Sequence, residues 1–481
     1  MGFIKKQGIM RISLLFILLV DVLFGMAQEH DHQNYISPTD SSVIRKLALW
    51  QDYKFGLLMH WTPSSQWGVV ESWSICPEDE DWCTRRGPYA NDYSAYVKAY
   101  ENLQTTFNPI KFNPEKWAKA ANYAGMKYMV FTTKHHDGFL MFDSQYTDYK
   151  ITNSKTPFST HPKANITKEV FDAFRNEGLW VGAYFSKPDW HCNDYWWPKF
   201  PVYDRNPNYD LTRYPEKWNA YKSFTQNQLT ELMTNYGKVD ILWLDGGWVQ
   251  PLTTTSPRWG YKPVHQDIEM DIIASKARKT QPGLIVVDRA VEGPNQNYLT
   301  PEQKIPAIPL PYPWESCMTM GTSWSHVKNE TYKSSFELIK TLCLIVSRGG
   351  NLLLNIGPDA NGEWDTTAYN RLKDIGDWMQ INQEAIYGTK PVFPYEYKVN
   401  ESTKVVFTQA KNESIYALLI AEKGAHSKIE IDLSVFNKEF HQFIPLLDKN
   451  KIQKIKKNTL KLVLKKEQQF EPICLVYKLI D

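Results

Sequence analysis

The chain has 481 residues, more than one ordinary domain needs, which suits a barrel with one accessory domain. Lysine plus arginine number 55 and aspartate plus glutamate 53, so the formal net charge of +2 argues against nucleic acid or an anionic membrane as a partner. Aromatic residues make up 14 % of the chain. Cores absorb about half of them in such a protein. The others lie beside Gly, Pro, Asp and His, a mixture typical of loops that stack on sugar rings.

The N-terminus has the pattern of a secretory signal. Lys5 and Lys6 lie before an apolar run at residues 12–24, and small residues precede a predicted cleavage site after Ala27. The run is too short to span a bilayer comfortably. We therefore predict a signal peptide at residues 1–27, export to the periplasm or the exterior, and no stable membrane insertion after cleavage.

A polar leader is predicted at residues 28–45, followed by a long region, 46–394, in which strand and helix patterns alternate. The predicted strands are nearly continuous in apolar residues, as strands covered on both faces are. They lie at residues 55–61, 128–134, 180–186, 241–245, 284–288 and 352–356. Helical patterns separate them at residues 114–124, 166–177, 216–236, 268–280 and 335–347. The alternation predicts parallel strands joined by crossover helices.

Polar, ionisable and aromatic residues gather repeatedly where these strands end. In a (β/α)8 barrel the active site lies at that end of the strands. A doubly wound sheet would usually carry a Gly-rich phosphate loop after its first strand, and the chain has His-Trp-Thr-Pro-Ser-Ser there. The sequence therefore favours a (β/α)8-like barrel of the TIM kind.

The pattern changes after residue 394. Short strand-like runs separated by Asn, Lys and Gly predict a small C-terminal β-sandwich at residues 395–481, with a packing role. The six cysteines show no zinc-binding spacing, and Cys76 and Cys83 could form a disulfide bond in an oxidising compartment. Cys343 and Cys474 lie in apolar runs typical of buried thiols.

Asp245 is the first candidate for chemistry. Alternate residues of a strand share a face, so Asp245 should point the same way as Ile241 and Trp243. Two glycines follow it and would let a substrate approach closely. Hydrolysis of a glycosidic bond requires a second carboxyl group across the anomeric carbon. The candidates in the later segment are Glu292, Glu302 and Glu315, and an earlier one is Glu71.

The adjacent pair His135 and His136 would make a poor metal clamp, since neighbours in a strand face opposite sides. Together with His60 they fit better as groups that hydrogen-bond sugar hydroxyls or orient the nucleophile, and no metal or cofactor is predicted. Arg289 could keep a neighbouring carboxylate ionised, or it could pair with Asp288.

Six ordered motifs resemble the α-L-fucosidases of glycoside hydrolase family 29. They are Phe-Gly-Leu-Leu-Met-His-Trp at 55–61, Lys-His-His-Asp-Gly-Phe at 134–139, Trp-Leu-Asp-Gly at 243–246, Asp-Arg at 288–289, Pro-Trp-Glu-Ser-Cys at 313–317 with Ser-Trp at 323–324, and the Gly-Gly-Asn to Gly-Pro stretch at 349–358. Together they cover about residues 45–395, and their order makes the match specific.

The resemblance implies a barrel with a C-terminal β-sandwich and a retaining enzyme that removes terminal α-linked L-fucose from oligosaccharides or glycoconjugates. It implies that Asp245 is the nucleophile. It further implies fucose-binding roles for a set of residues: His60, Glu71, Trp73, His135, His136, Arg289, either Tyr184 or Phe185, and Trp324 against the fucose methyl group. Glu302 lies where relatives tend to place the acid/base, with Glu315 and Glu292 as alternatives.

Two other classes of function compete with this interpretation. A catalytically inactive fucose-binding protein on the same barrel would fit the aromatic residues, but it would be expected to lack a catalytic carboxylate. A metal-dependent hydrolase would use His60, His135 and His136 as ligands. The linkage preference depends on loops outside the motifs.

Overall fold

The computed structural model of the chain describes residues 34–77, 84–252, 264–465, 468 and 471–481. The predicted signal peptide at 1–27 and the cysteine at position 83 lie outside this part of the chain. The predicted Cys76–Cys83 bond therefore stays a prediction.

Seven parallel strands form a curled sheet in the order β5-β4-β3-β2-β1-β7-β6. Their bounds are β1 Phe55–Met59, β2 Tyr128–Lys134, β3 Trp180–Ser186, β4 Ile241–Asp245, β5 Ile285–Asp288, β6 Glu315–Thr319 and β7 Asn351–Asn355. Every predicted strand is present, within a few residues of its predicted bounds. Strand β6 was not predicted, because Glu315, Ser316 and Thr319 give it no apolar run.

Helices pack around this sheet. They are α1 Ser41–Tyr53, α2 Tyr93–Glu101, α3 Pro114–Tyr123, α4 Ile166–Asn176, α5 Pro215–Asn235, α6 Met270–Thr280, α7 Ser335–Ser347 and α8 Thr366–Asn382. Helix α1 begins inside the predicted leader, where Asp40 accepts a hydrogen bond from the Ser42 backbone as the N-cap. Ser334 and Glu337 form a capping box at α7. The predicted parallel α/β architecture is confirmed.

A segment without regular strand structure fills the gap between β5 and β6. The backbone N–H of Asn297 donates to Val286 in β5, and the N–H of Asp288 donates to Asn295. Further along the segment, the N–H of Gln303 donates to Cys317 in β6, and that of Cys317 donates to Pro301. Residues 295–303 therefore occupy the position between the two edge strands and close the TIM-like ring of backbone.

The barrel has two apolar layers. Inside the curled sheet, Leu58, Tyr128, Tyr184 and Trp243 pack together with other buried residues. Outside it, the opposite faces of the same strands pack against the helices in a much larger core. The inside layer is strongly aromatic.

The C-terminal region is an antiparallel β domain, as predicted. Its six-stranded sheet has the order β13-β12-β15-β10-β9-β8, and strands β11 and β14 form a separate pair. The strands are β8 Thr389–Asn400, β9 Thr403–Ala410, β10 Ile415–Ala421, β11 Lys428–Asp432, β12 Gln442–Pro445, β13 Gln453–Lys454, β14 Thr459–Val463 and β15 Ile473–Ile480. Strand β8 runs across the predicted boundary between residues 394 and 395.

The β domain packs against helices α7 and α8 of the barrel. Arg348 lies 2.7 Å from Glu396, and the Trp378 indole donates to the Cys474 carbonyl at 2.9 Å. No helix in the described part of the chain is long and apolar enough to cross a bilayer.

Candidate active site

Asp245 ends strand β4 at the C-terminal rim of the barrel. Its neighbours Ile241 and Trp243 lie in the inner layer, while Leu242 and Leu244 lie in the outer core. The alternation predicted from the strand pattern is therefore what the structure has, and it directs the Asp245 carboxylate into the mouth of the barrel. The carboxylate side chain is 15 % exposed, so a ligand could still reach it.

Two donors hold this carboxylate. The Tyr184 hydroxyl donates to Oδ2 at 2.7 Å, and the Arg289 Nη1 donates to Oδ1 at 2.9 Å. Burial by itself would raise the pKa of Asp245, but the Arg289 guanidinium and the Tyr184 hydrogen bond outweigh it and hold that pKa well below its usual range. Asp245 is therefore a carboxylate at any ordinary pH.

Arg289 joins this carboxylate to a second one. Its Nη2 contacts an oxygen of Glu302, whose side chain is 30 % exposed. The backbone of Arg289 is fixed by its N–H bond to the Leu244 carbonyl at 3.0 Å. Glu302 is fixed by the segment between β5 and β6, where it pairs with Cys317. One guanidinium thus holds two carboxylates from different parts of the barrel close together.

Three histidines line the opposite side of Asp245. His60 lies beside the end of β7, with its Nδ1 2.9 Å from Asn355 Oδ1. His135 Nδ1 lies 2.5 Å from the Ser72 hydroxyl. His136 Nε2 is 3.9 Å from Asp245. Burial lowers the pKa of His60 to about 4 and of His136 to about 3, and that of His135 well below its usual value. All three are neutral at pH 7 and can exchange hydrogen bonds with hydroxyl groups.

His135, His136 and Asp245 place three possible metal-ligand atoms within 4.8 Å of one another. The donor set does not favour a metal, however. Asp245 already has the Arg289 cation on one oxygen, and His135 has Ser72 on its Nδ1. A divalent ion would have to share the carboxylate with the guanidinium, and like charges at that distance repel.

Tryptophan rings form the walls of the candidate active site. The Trp73 ring lies 5.1 Å from the His136 ring and 5.3 Å from Trp190, and the Trp248 ring lies 5.1 Å from His136. On the other side, the half-buried Trp324 ring is 5.4 Å from His60. Apolar walls around a few polar groups are typical of a site for a small organic ligand.

Glu71 is a third carboxyl group near the site. It is buried, it accepts a hydrogen bond from the Ser325 backbone at 2.5 Å, and its own backbone has a φ of 31°. Burial, with smaller contributions from the nearby charges of Glu302 and Asp245, outweighs the opposing Ser325 bonds and raises the pKa of Glu71 to about 7. A side chain held in a strained backbone and titrating near neutrality is a candidate for proton transfer.

The structure does not bring every predicted residue to this cluster. Glu315 is fully buried lower in the barrel, where the Tyr128 hydroxyl and the Trp243 indole donate to it at 2.5 and 3.3 Å. Glu292 lies at the surface and accepts a hydrogen bond from the Asn34 backbone. Phe185 faces the outer core, where Lys134 lies over its ring, because it is out of phase with Tyr184 along β3.

Two supporting residues were not among the predicted ones. Asn355 binds His60 and also donates to the Trp324 carbonyl at 2.6 Å, so one amide orients both His60 and the wall that Trp324 forms. Ser72 orients His135. Asn355 ends an apolar strand within a recognised motif, a signal that could have revealed it, whereas Ser72 has no such signal in the sequence.

Two buried ion pairs brace the strand ends behind the site. Lys134 lies 3.2 Å from Asp189, and Lys187 lies 2.5 Å from Asp288. The second pair connects the end of β3 with the end of β5, and Asp288 immediately precedes Arg289. The backbone N–H of Lys187 also donates to the Asp245 carbonyl at 2.9 Å. These contacts position Asp245 and Arg289 relative to each other.

The rim of the barrel thus holds a buried, ionised carboxylate beside a second carboxylate, which is the pair of groups that glycoside hydrolases use. The sequence model of the family described as Alpha-L-fucosidase matches residues 22–384, and the chain belongs to this family.

Individual relatives agree with this. The mouse tissue alpha-L-fucosidase is 30 % identical over 399 residues, covering 78 % of each chain. Among solved structures, alpha-L-fucosidase isoenzyme 1 from Paenibacillus thiaminolyticus is 28 % identical with a TM-score of 0.71, covering 92 % of this chain and 99 % of that one. The Thermotoga maritima alpha-fucosidase in complex with fucose is 25 % identical with a TM-score of 0.68, covering 90 % and 96 %.

Proposed function

We propose that the protein is a retaining exo-α-L-fucosidase that hydrolyses terminal α-linked L-fucose from oligosaccharides or glycoconjugates. The observation that carries this proposal is the Arg289 guanidinium, which holds Asp245 and Glu302 together. In retaining glycosidases the two carboxyl groups are only about 5 Å apart, so that one can attack the sugar directly. A shared guanidinium suits that short separation better than the wider gap of an inverting enzyme.

In the first step Asp245 attacks the anomeric carbon and the glycosidic C–O bond breaks. Glu302 gives a proton to the departing oxygen, and a fucosyl ester on Asp245 results. In the second step Glu302 takes a proton from water, the water oxygen bonds to the anomeric carbon, and Asp245 leaves as a carboxylate. The depressed pKa of Asp245 suits both its attack and its departure.

For Glu302 to deliver a proton, its contact with Arg289 must loosen as the substrate enters. Its partial exposure allows this movement. Neutral His60, His135 and His136 suit the sugar hydroxyls, and Trp324 suits the methyl group. A fucosylated glycan is the proposed substrate, in keeping with the fucose bound in the Thermotoga relative.

The direct test is Asp245→Ala assayed on an aryl α-L-fucoside. We expect kcat to fall by about 10⁴-fold or more with the fold intact by circular dichroism. Added azide should restore turnover and yield β-L-fucosyl azide, since the small anion takes the place of the missing carboxylate. Undiminished activity of Asp245→Ala would contradict the assignment of Asp245 as the nucleophile. Fucose binding by the wild type without any turnover would favour an inactive binding protein.

The acid/base is tested with the variants Glu302→Ala and Glu71→Ala on the same activated substrate. We expect azide to rescue Glu302→Ala and to give the α-azide, because only the second step then lacks its base. Rescue of Glu71→Ala alone would transfer the role to Glu71. Glu315→Ala and Glu292→Ala serve as controls and should show no rescue. Inhibition by EDTA would instead support a metal at His135 and His136.

We further propose that the protein is exported through its N-terminal signal. The proposal depends on the charged and apolar pattern of residues 1–27. N-terminal sequencing of the protein recovered from its native compartment should begin at residue 28. Recovery of the chain with its first residues intact would contradict both the cleavage and its position.

A further inference from the structure

The guanidinium of Arg205 lies over two indole rings beside the candidate active site. Arg205 belongs to the long segment that joins β3 to α5, and it is only 7 % exposed. Its guanidinium carbon lies 4.9 Å from the centre of the Trp73 ring and 5.2 Å from that of the Trp248 ring. A cation held over an indole is attracted most strongly where little water competes for the charge. Nothing in the catalytic steps uses Arg205.

The backbone of Arg205 is tied to the same group of rings. Its carbonyl accepts hydrogen bonds from the Tyr195 hydroxyl at 3.0 Å and from the Trp190 indole at 3.2 Å. The Tyr195 hydroxyl in turn accepts a hydrogen bond from the Trp248 indole at 3.1 Å. Trp73 follows β1, Arg205 follows β3 and Trp248 follows β4. Arg205 therefore joins the loops of three different strand ends.

His136 is held differently from the other two histidines of the site. Polar side chains contact the Nδ1 atoms of His60 and His135 and so direct their rings. The buried Nδ1 of His136 has no hydrogen-bond partner in the part of the chain that the structure describes. Its Nε2 lies 3.9 Å from Asp245, which is longer than a hydrogen bond. The direction of the His136 ring therefore depends on the packing around it.

Three indoles supply that packing. The rings of Trp73, Trp190 and Trp248 each lie 5.1 Å from the His136 ring. All three contact Arg205, two through its guanidinium and Trp190 through its carbonyl. A shift of the Arg205 side chain would therefore be passed to His136 by rings that touch both residues.

The charge of Arg205 also acts on His136 directly. Burial, helped by the Arg205 charge and opposed by Asp245, lowers the pKa of His136 to about 3. The ring therefore stays neutral, and a neutral imidazole has one donor and one acceptor for the hydroxyls of a sugar.

We propose that Arg205 is a positioning residue, which fixes the direction of the His136 ring through the indoles of Trp73 and Trp248. A correctly directed ring meets a hydroxyl of the sugar beside Asp245, so Arg205 strengthens substrate binding without touching the substrate. The inference rests on the proposed fucosidase function for the ligand of His136, but not for the packing that directs the ring.

The kinetic test compares Arg205→Met and Arg205→Lys on an aryl α-L-fucoside. In Arg205→Met, which removes the cation, KM should rise about tenfold, the size of one lost cation–indole contact. Its kcat should stay within about threefold of the wild type, because Asp245 keeps its own partners. Lysine keeps a cation but lacks the planar group, so KM should rise only about threefold. An unchanged KM in Arg205→Met, a fall in kcat at constant KM, or equal losses in the two variants would overturn the proposal.

A double-mutant cycle shows whether Arg205 acts through His136. The measured quantity is the dissociation constant of a fucose-configured iminocyclitol, by calorimetry, which requires no turnover. Arg205→Met should weaken binding about tenfold in the wild type but less than about twofold in the background of His136→Ala. An equal loss in both backgrounds would mean that Arg205 acts elsewhere, and the proposal would be wrong.

Arg213→Met is the matched control. Arg213 lies in the same segment with its guanidinium 5.4 Å from the Tyr214 ring, and that ring packs on Trp197 and Phe200. The KM and the dissociation constant should equal those of the wild type. A rise as large as that in Arg205→Met would mean that the loss of any stacked arginine in this segment weakens binding, and Arg205 would lose its particular role.

Hydrogen exchange measured by mass spectrometry separates failure of this inference from failure of the proposed function. Without any ligand, peptides that contain Trp73 and Trp248 should exchange faster in Arg205→Met than in the wild type, and at the wild-type rate in Arg213→Met. Unchanged exchange in Arg205→Met would refute the role of Arg205 even if the protein hydrolyses fucosides. Faster exchange in a protein that hydrolyses no fucoside would support the packing role and contradict the proposed function alone.

Discussion

The Nη1 atom of Arg289 donates to Oδ1 of Asp245 at 2.9 Å across the ends of two strands. The contact supplies the positive charge that a buried carboxylate needs. Its loss should change the pH dependence of the enzyme as well as its rate.

Replacement of Arg289 by Met should lower kcat/KM for an aryl fucoside by about 10²–10³-fold, because a preorganised charge at the reacting carboxylate is lost. Burial would then raise the pKa of Asp245 against weaker opposition, chiefly from His136 and the Tyr184 hydrogen bond, so the acid limb of the pH–rate profile should move to higher pH. The measurement is kcat/KM between pH 3 and pH 8. Arg175→Met, on helix α4, is the control, and an unmoved acid limb in Arg289→Met would contradict the argument.

Glu315 should make the fold less stable as the pH rises. Burial raises its pKa from 4.5 to about 7, so the folded chain binds a proton that the unfolded chain releases between these values. The free energy of unfolding should fall by roughly 3 kcal/mol across that window. In Glu315→Gln this pH-dependent contribution should disappear, while the similar contribution from the raised pKa of Glu71 remains. Urea unfolding at several pH values measures the free energy of unfolding of both proteins.

The control for that experiment is Glu430→Gln, whose side chain is 60 % exposed. It should unfold with the same pH dependence as the wild type. A pH dependence of Glu315→Gln equal to that of the wild type would show that Glu315 is ionised in the folded chain throughout the range.

The glycine that follows Asp245 should not tolerate a side chain. Gly246 has a φ of 90°, and an added Cβ would lie 2.3 Å from Cδ of Pro188. Gly246→Ala should therefore displace Asp245 and lower kcat by about 10²-fold, in addition to a strain of roughly 1–2 kcal/mol. Gly178 has a φ of 78° with no atom within 4 Å of such a Cβ. Gly178→Ala should lower the midpoint of thermal unfolding because of the backbone strain, and it should keep full activity. Equal activity of the two variants would contradict the predicted clash at Gly246.

The buried ion pair Lys187–Asp288 should contribute far more to the stability of the fold than an exposed ion pair. Lys187→Met leaves the Asp288 carboxylate buried without its partner, at a cost of roughly 3–5 kcal/mol in the free energy of unfolding. Burial already raises the pKa of Asp288 against the effect of Lys187, so the loss should be smaller in acid. Lys373→Met removes an exposed pair with Asp377, and the free energy of unfolding should stay close to that of the wild type, because solvent screens exposed charges. Similar losses in both variants would contradict this.

Much of the fold could be predicted because its signals are local. The buried parallel strands are continuous apolar runs, and their polar ends identify the functional face. The elements that were missed have weak local signals. Strand β6 carries the polar residues Glu315, Ser316 and Thr319. Its backbone hydrogen-bonds with β7 and with residues 295–303, and an apolar pattern within β6 itself could not reveal these partners.

The sequence by itself determined the direction of Asp245, since the alternation of side chains along a strand needs no knowledge of the partner strands. It also pointed to the three histidines and to the catalytic family. Only the tertiary structure decided which glutamate lies beside Asp245. Glu292, Glu302 and Glu315 are close in sequence, yet one lies at the surface, one contacts Arg289 and one is buried lower in the barrel. The physical reason is that a distance across a barrel depends on strand order and register, which are set by contacts between residues far apart in the chain.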